Sequence, residues 1–183
     1  MTAAKGLWTE SGSCLTEMRG NAGLHKTWVR ILTTFLTIAV MIMIFAFSTE
    51  EAEQSNQTSG MISERIVKMI CPGYENMSEA EQRACFNEVQ HYVRKAAHFT
   101  EYAVLGLLLR ICLESWMGER KKNIQHSWAG ATVYAVTDEL HQLLTDGRSG
   151  QWQDVLIDSS GALAGVLAAS WLLNKIRSGK KAE

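Results

Sequence analysis

Acidic side chains and histidines recur at one end of the apolar stretches in this 183-residue sequence. Within each stretch they stand three or four residues apart, which places them on one face of a helix. Ionisable groups inside a membrane are costly, so several that converge at one depth indicate a functional site. We predict a catalytic or ligand-binding site formed by His98, Glu101, Asp138, His141, Asp154 and Asp158.

The chemistry open to this set is metal binding or proton transfer. Two imidazoles and up to four carboxylates are enough to hold a divalent metal ion, whose identity the sequence leaves open. The same groups suit acid–base chemistry, because neighbouring carboxylates cannot all be ionised and their pKa values must separate. The candidate metal ligands are His98, Glu101, Asp138, His141 and Asp158.

Further charged and amide side chains surround these positions. Those expected to bind ligand are Arg94, Lys95, Glu139, Gln142 and Arg148. The alternative is a structural ion-pair network, in which Arg94, Lys95 and Arg148 neutralise the acids and hold the helices together. A path for ions or protons is a third interpretation, and the sequence leaves all three open.

Four apolar stretches are expected to position these residues. The first contains an uncharged run from Ile31 to Phe47, and the other three are too polar to stand alone in lipid. They are acceptable as a bundle whose polar faces point inward, so we predict an all-α integral membrane four-helix bundle. The expected spans are about 28–48, 96–114, 127–145 and 154–173. A cleaved secretory signal at residues 26–48 is the alternative for the first stretch.

The distribution of lysine and arginine predicts the orientation. These residues flank the spans in an amino-terminal arm (1–27), in the connection between the second and third spans, and in a tail (176–183). The positive-inside rule places all three in the cytoplasm, with both termini, and leaves residues 28–175 as the membrane domain. The acid-rich loop 49–95 then faces outside, together with the charged ends of the helices.

The outer loop is expected to contain helices. Ile62, Ile66, Met69 and Ile70 share one face of a segment starting at Met61, which predicts an amphipathic helix lying on the bilayer. A turn follows at Pro72. Ser78 and Glu81 then have the spacing of a capping box, and the helix they begin is expected to continue into the second span. A flexible acidic loop is the alternative.

Cysteines and glycines carry two further predictions. A disulfide between Cys71 and Cys85 would hold the loop helices together in an oxidising compartment, whereas two unrelated thiols are the alternative. Gly161 and Gly165 form a GxxxG pattern, which allows the fourth helix to approach a neighbour closely.

The chain resembles the VanZ-like family of bacterial membrane proteins from about Ile38 to Leu173. The residues that carry the resemblance are Phe47-Ser48, the run Arg94 to Tyr102, Leu105-Gly106, the run Thr137 to Gln142, Arg148, Asp154, Asp158 and Gly161. The resemblance implies four spans in a bacterial cytoplasmic membrane. The family is named for a factor that confers resistance to teicoplanin, a glycopeptide with a fatty-acyl tail, so glycopeptide resistance is the function the resemblance implies.

Three functions therefore stand as hypotheses. The first is a resistance or cell-envelope factor that contacts membrane lipid and binds or modifies an amphiphile, such as a lipid-linked wall precursor or a lipoglycopeptide. The second is an intramembrane hydrolase or transferase that uses a metal or an acid–base pair. The third is a small transporter or proton relay. The net charge of −1 and the lack of a basic patch argue against nucleic acid as a partner, and the oligomeric state stays open.

Overall fold

The computed structural model describes residues 7–49, 52–118, 121–143 and 151–180, with side chains described at 26–48, 60–118, 121–143 and 151–179. These residues form α-helices and one short 3-10 helix, with no strand among them, so the all-α prediction is confirmed. The helices are α1 (Leu7–Thr49), α2 (Ala52–Ile70), α3 (Glu79–Met117), α4 (Lys122–Gln142) and α5 (Trp152–Lys180).

Three segments are long and apolar enough to cross a membrane. They are Lys26–Ser48, Glu79–Met117 and Trp152–Gly179, which match three of the four expected spans. The 21-residue α4 does not reach this level of hydropathy, although its length would suffice. Several of its polar residues are buried, among them Asn123, Ser127 and Asp138, whereas Val133 and Leu140 are exposed. A hydropathy average over α4 therefore mixes an inward polar face with an outward apolar face.

The helices α3 and α5 run in the same direction and share the most extensive contact in the molecule. Lys95 of α3 meets Asp154 near the start of α5, and Arg110 of α3 meets Ser170 fifteen to sixteen residues further along both helices. The helix α3 also packs against α1, α2 and α4, and α5 also packs against α4. The helix α3 is therefore the central element of the fold.

The helices α1 and α4 run opposite to α3 and α5. The Tyr134 hydroxyl of α4 donates a hydrogen bond to the Met41 carbonyl of α1 at 2.6 Å. At the other end of α1, Arg30 Nε donates to the Ser115 carbonyl near the end of α3, at 2.8 Å. The carboxyl ends of α1 and α4 therefore lie beside the middle of α3 and the start of α5.

Small residues let the backbones of α3 and α5 touch. A Cβ atom added at Gly106, Gly161 or Gly165 would overlap backbone atoms of the opposite helix; for Gly165 these belong to Ala103. The two helices are too close for any side chain to lie between them. A GxxxG pattern is expected to allow a close approach of this kind. The close approach allows short side chains such as aspartate to bridge the two helices.

The helix α2 packs against the first turns of α3. It begins at Ala52, earlier than the expected start at Met61, and buries Val67 and Ser63. Ile62, Met69 and Ile70 on the flank stay exposed. The charged flank carries an ion pair of 3.0 Å between Lys68 and Glu64, and the hydrogen bond from this pair raises the pKa of Lys68.

The connection between α2 and α3 is short and cross-linked. Gly73 adopts a left-handed conformation (φ 75°) in the turn, and Cys71 is joined to Cys85 of α3 by a disulfide. The predicted capping box is present, because the Ser78 amide donates to Glu81 Oε2 at 2.9 Å and the Glu81 amide donates to Ser78 Oγ at 3.4 Å. As predicted, α3 then continues without a break to Met117.

Candidate functional site

Facing side chains of α3 and α5 begin the site. Lys95 Nζ lies 2.6 Å from Asp154 Oδ1, and both side chains are about a quarter exposed. One turn further along the helices, His98 Nδ1 lies 3.7 Å from Asp158 Oδ1. Asp158 is only 1% exposed, so the arrangement leads from a partly open ion pair to a buried carboxylate.

Asp138 of α4 meets this pair from the other side. It is 3% exposed and interacts with Ser48 at the end of α1 and with His98 of α3. Gln142, one turn later on α4, donates a hydrogen bond to Asp138 Oδ2 at 3.3 Å. Asp138 and Asp158 also interact electrostatically with each other. Four helices therefore contribute to one buried group of polar side chains.

Tyr102 completes this group. It is fully buried one turn after His98 on α3, and it interacts electrostatically with Asp138 and Asp158. Within the residues that the structure describes, neither the Tyr102 hydroxyl nor Asp158 Oδ1 has a hydrogen-bond partner. We refer to Ser48, His98, Tyr102, Asp138 and Asp158 together as the acidic cluster.

The remaining predicted site residues lie around the acidic cluster. Glu101 and Asp154 interact electrostatically with Asp158. Glu139 is 7% exposed and accepts a hydrogen bond from the backbone amide of Gln151, at the start of α5. The predicted ligand-binding residues therefore divide into Glu139 and Gln142, which hydrogen-bond within the protein, and Lys95, which pairs with Asp154.

The remaining predicted site residues are His141, Arg94 and Arg148. The His141 ring packs on Phe45 of α1, with ring centroids 4.5 Å apart, and His141 also interacts with Asp138. Arg94 is exposed at the same end of α3. Arg148 lies outside the described residues, so its predicted place over the site stays a prediction.

Metal binding by the five candidate ligands stays a prediction. Among the described residues, no three or more His, Cys, Asp or Glu side chains form a group that could hold a metal ion. The five candidates instead divide between the acidic cluster, with His98, Asp138 and Asp158, and the neighbouring Glu101 and His141. The groups that do meet in the cluster are suited to hydrogen bonding and to binding positive charge.

Sequence reasoning did not assign Ser48 or Tyr102 to the site. Tyr102 follows His98 at a spacing of four residues, so the helical period already placed both on one face. Ser48 offered a weaker signal, as a polar residue at the end of an apolar helix. Its contact with Asp138 depends on how α1 packs against α4, which helical spacing alone does not specify.

A second buried polar group lies at the opposite end of the α3–α5 contact. Arg110 is 4% exposed; its Nη1 lies 2.6 Å from Glu114 Oε2, and its Nε donates to Ser170 Oγ at 3.0 Å. Glu114 also forms an ion pair with Arg177 of α5. We refer to Arg110, Glu114, Ser170 and Arg177 as the arginine cluster. The spacing of four residues between Arg110 and Glu114 in an apolar helix was the one signal for it in the sequence.

The family model for VanZ/LLP1 matches residues 33–173 of the chain. The chain belongs to the VanZ/LLP1 family. The match contains every member of the acidic cluster, and it confirms the resemblance drawn from the sequence motifs. Neither the comparison with curated proteins nor the comparison with solved structures gives a match.

Proposed function

We propose that this VanZ/LLP1 protein is a glycopeptide-resistance type factor of the bacterial cell envelope. In this proposal the acidic cluster faces the outer side of the cytoplasmic membrane and binds or modifies an amphiphilic or lipid-linked ligand. The observation that carries the proposal is the burial of two carboxylates, Asp138 and Asp158, beside a tyrosine hydroxyl that has no hydrogen-bond partner among the described residues.

Burial without partners favours a binding role over a purely structural one. A buried polar group that lacks a hydrogen bond destabilises a protein by about 1–3 kcal/mol. Buried groups of this kind in native structures are commonly explained by an ion, a water molecule or a functional role. The Tyr102 hydroxyl and Asp158 Oδ1 are groups of this kind, and both residues interact electrostatically with Asp138.

The proposed topology has four spans, with both termini in the cytoplasm. Arginines and lysines flank the arginine-cluster end of the helices, and the positive-inside rule places that end in the cytoplasm. We include α4 as a span because its exposed face carries Val133, Val136 and Leu140, while Asp138 and Gln142 are buried among the other helices. Ionisable residues in membrane helices usually face the bundle interior in this way.

The helix α2 supports a ligand that arrives from the lipid. Its exposed apolar flank contains Ile62, Met69 and Ile70, and a disulfide joins its end to Cys85 of α3, which precedes His98 on the same helix. A helix with one apolar flank and one charged flank tends to lie at the membrane surface. In this position α2 would place the site at headgroup depth. A lipoglycopeptide with an acyl tail or a lipid-linked wall precursor fits such an approach.

An enzyme is the second candidate, and the distance of 3.7 Å between His98 and Asp158 favours it. In that case His98 would accept a proton from an attacking water or hydroxyl, and Asp158 would orient the imidazole. Purified protein that leaves phospholipids and lipid-linked substrates unchanged would remove this candidate. The transporter or proton relay is the less favoured candidate, because four short spans offer little for alternating access unless the protein oligomerises.

Drug susceptibility tests the main proposal. Expression of the chain in a teicoplanin-sensitive bacterium is expected to raise the inhibitory concentration of teicoplanin and to leave that of vancomycin, which lacks the acyl tail, nearly unchanged. Asp138→Asn and His141→Ala should abolish the protection at equal membrane levels of protein. The matched control is Glu79→Gln, because Glu79 is an exposed acid in the first turn of α3, away from the cluster. Full protection by the two site variants, or no protection by the parent, would contradict the proposal.

A further inference from the structure

Each of four helices contributes one buried oxygen-bearing side chain to the acidic cluster. Ser48 comes from α1, Tyr102 from α3, Asp138 from α4 and Asp158 from α5. Their mutual interactions link all four, since Tyr102 and Asp158 both interact with Asp138 and Ser48 does as well. Hydroxyl and carboxylate oxygens from four helices therefore belong to one buried, interacting group.

The charge at this point calls for a positive partner. The cluster contains two carboxylates, and its histidine carries a charge only when it is protonated. The nearest lysine, Lys95, already forms an ion pair with Asp154. His98 lies 3.7 Å from Asp158, which is beyond hydrogen-bond length. A donor with positive charge would satisfy both carboxylates and the Tyr102 hydroxyl together.

We propose that the acidic cluster binds the primary ammonium group of a membrane lipid headgroup. An ammonium group has three N–H donors, which can be directed to Asp138, to Asp158 and to the Tyr102 hydroxyl. Hydrogen bonds between a charged donor and a carboxylate are about twice as strong as neutral ones. The Tyr102 hydroxyl, fully buried and without a partner among the described residues, points to a ligand independently of the two acids.

A lipid is the source of the ammonium that best fits the surroundings. The side chains of Lys95, His98 and Asp154, on the side of the cluster nearer the start of α5, are each about a quarter exposed. The helix α2, which carries the exposed apolar flank, is joined to the first turns of α3, the half of α3 that precedes the cluster. An amphiphile whose tail contacts apolar surface and whose amine enters the cluster matches both features. This inference rests on the proposed function only for the outward position of the site. The ligand is identified independently, by the chemistry of the cluster.

Lipid binding to the purified full chain tests the inference. Native mass spectrometry in detergent compares three diacyl lipids with the same tails, namely phosphatidylethanolamine, its N-acetylated derivative and phosphatidylcholine. The first has a primary ammonium, the second has no positive charge on nitrogen, and the third has a positive charge without N–H donors. Phosphatidylethanolamine is expected to bind about tenfold or more tightly than the other two, because only it makes charge-assisted hydrogen bonds.

Two variants with matched controls locate the binding. Tyr102→Phe and Asp158→Asn should each reduce the preference for phosphatidylethanolamine, with Asp158→Asn abolishing it. Tyr92→Phe serves as the control for the first, because Tyr92 is exposed on the same helix, and Glu79→Gln serves for the second. Equal binding of the three lipids by the parent chain would overturn the inference without any variant. Free ethanolamine and Mg²⁺ are also tested as competitors of the lipid. Displacement of the lipid by Mg²⁺ but not by ethanolamine would show a metal site instead.

The two proposals fail separately. A chain that protects against teicoplanin but shows no preference for the primary ammonium keeps the proposed function and loses this inference. A chain that prefers phosphatidylethanolamine but gives no protection keeps the inference and loses the resistance role.

Discussion

The acidic cluster and the arginine cluster lie at opposite ends of the same helix contact and differ in how their charges are met. In the arginine cluster, Arg110 contacts both Glu114 and Ser170, and Glu114 also contacts Arg177. In the acidic cluster, Asp138 and Asp158 are both acids and interact with each other. Both clusters are buried and both join α3 to α5, so burial alone does not distinguish them.

This difference indicates that the arginine cluster stabilises the contact between the helices, whereas the acidic cluster is kept in place by the surrounding fold. Removal of one partner from a buried ion pair leaves an uncompensated charge, so a substitution in the arginine cluster should destabilise the protein. Neutralising one of two neighbouring carboxylates removes a repulsion and leaves the shape unchanged. We therefore expect the two ends to respond to substitution in opposite ways, in stability and in function.

The largest effect is expected from Gly165→Leu, because it breaks the contact on which both clusters depend. Even a Cβ atom at this position would overlap the backbone of Ala103, so α3 and α5 would have to separate. We expect no monodisperse protein in detergent by size-exclusion chromatography. Gly130→Leu is the matched control, because nothing lies within 4 Å of an added Cβ atom there, and it should purify like the parent. Normal behaviour of Gly165→Leu would show that the close approach is not needed.

The next largest effect distinguishes the two clusters directly. Arg110→Met should lower the free energy of unfolding by about 3–5 kcal/mol, because Glu114 loses a buried partner and Ser170 loses a hydrogen-bond donor. Asp158→Asn should change it by less than about 1 kcal/mol in either direction, because it removes charge repulsion at similar volume. Unfolding by denaturing detergent, followed by circular dichroism, measures both. A larger loss for Asp158→Asn than for Arg110→Met would reverse our assignment of the two roles.

The helices themselves were predictable because local patterns determine them. The spacing of Ser78 and Glu81 predicted the start of α3, and the apolar runs predicted the cores of α1, α3 and α5. Helical spacing also placed His98 and Tyr102 on one face of α3. The GxxxG pattern at Gly161 and Gly165 predicted a close neighbour for α5 without naming it, and the structure shows that neighbour to be α3.

The arginine cluster was not predictable in the same way, because it depends on which helices become neighbours. Arg110 and Ser170 are 60 residues apart, and their contact follows from the parallel packing of α3 and α5. The contact between Ser48 and Asp138 depends in the same way on the packing of α1 against α4. The average hydropathy of α4 does not reveal that its two faces differ, since Val133 is exposed while polar residues such as Asp138 are buried.

An intermediate effect on stability is expected from removing the disulfide, which lies on the acidic-cluster side of the α3–α5 contact. Cys71 and Cys85 are 14 residues apart, and cross-linking a loop of this size stabilises a fold by about 3 kcal/mol in the chain-entropy model. Replacing both by serine should increase amide hydrogen exchange in α2 and in the first turns of α3. Exchange around Arg110 should stay the same. Cys112→Ser is the control, because Cys112 is a free cysteine. Equal deprotection at both ends would mean that the two ends unfold as one unit.

The smallest effect is expected from the ion pair between Lys95 and Asp154, and it sharpens the comparison because its geometry resembles that of Arg110 and Glu114. Both pairs have nitrogen–oxygen distances of 2.6 Å, but Lys95 and Asp154 are about a quarter exposed, whereas Arg110 is buried. Solvent screens an open pair, so a double-mutant cycle of Lys95→Met and Asp154→Asn should give a coupling below about 1 kcal/mol. The same cycle at Arg110 and Glu114 should give a coupling several times larger, because these side chains are only 5% and 12% exposed and solvent screens them much less. Equal couplings would mean that distance, and not burial, decides how strongly each end is held.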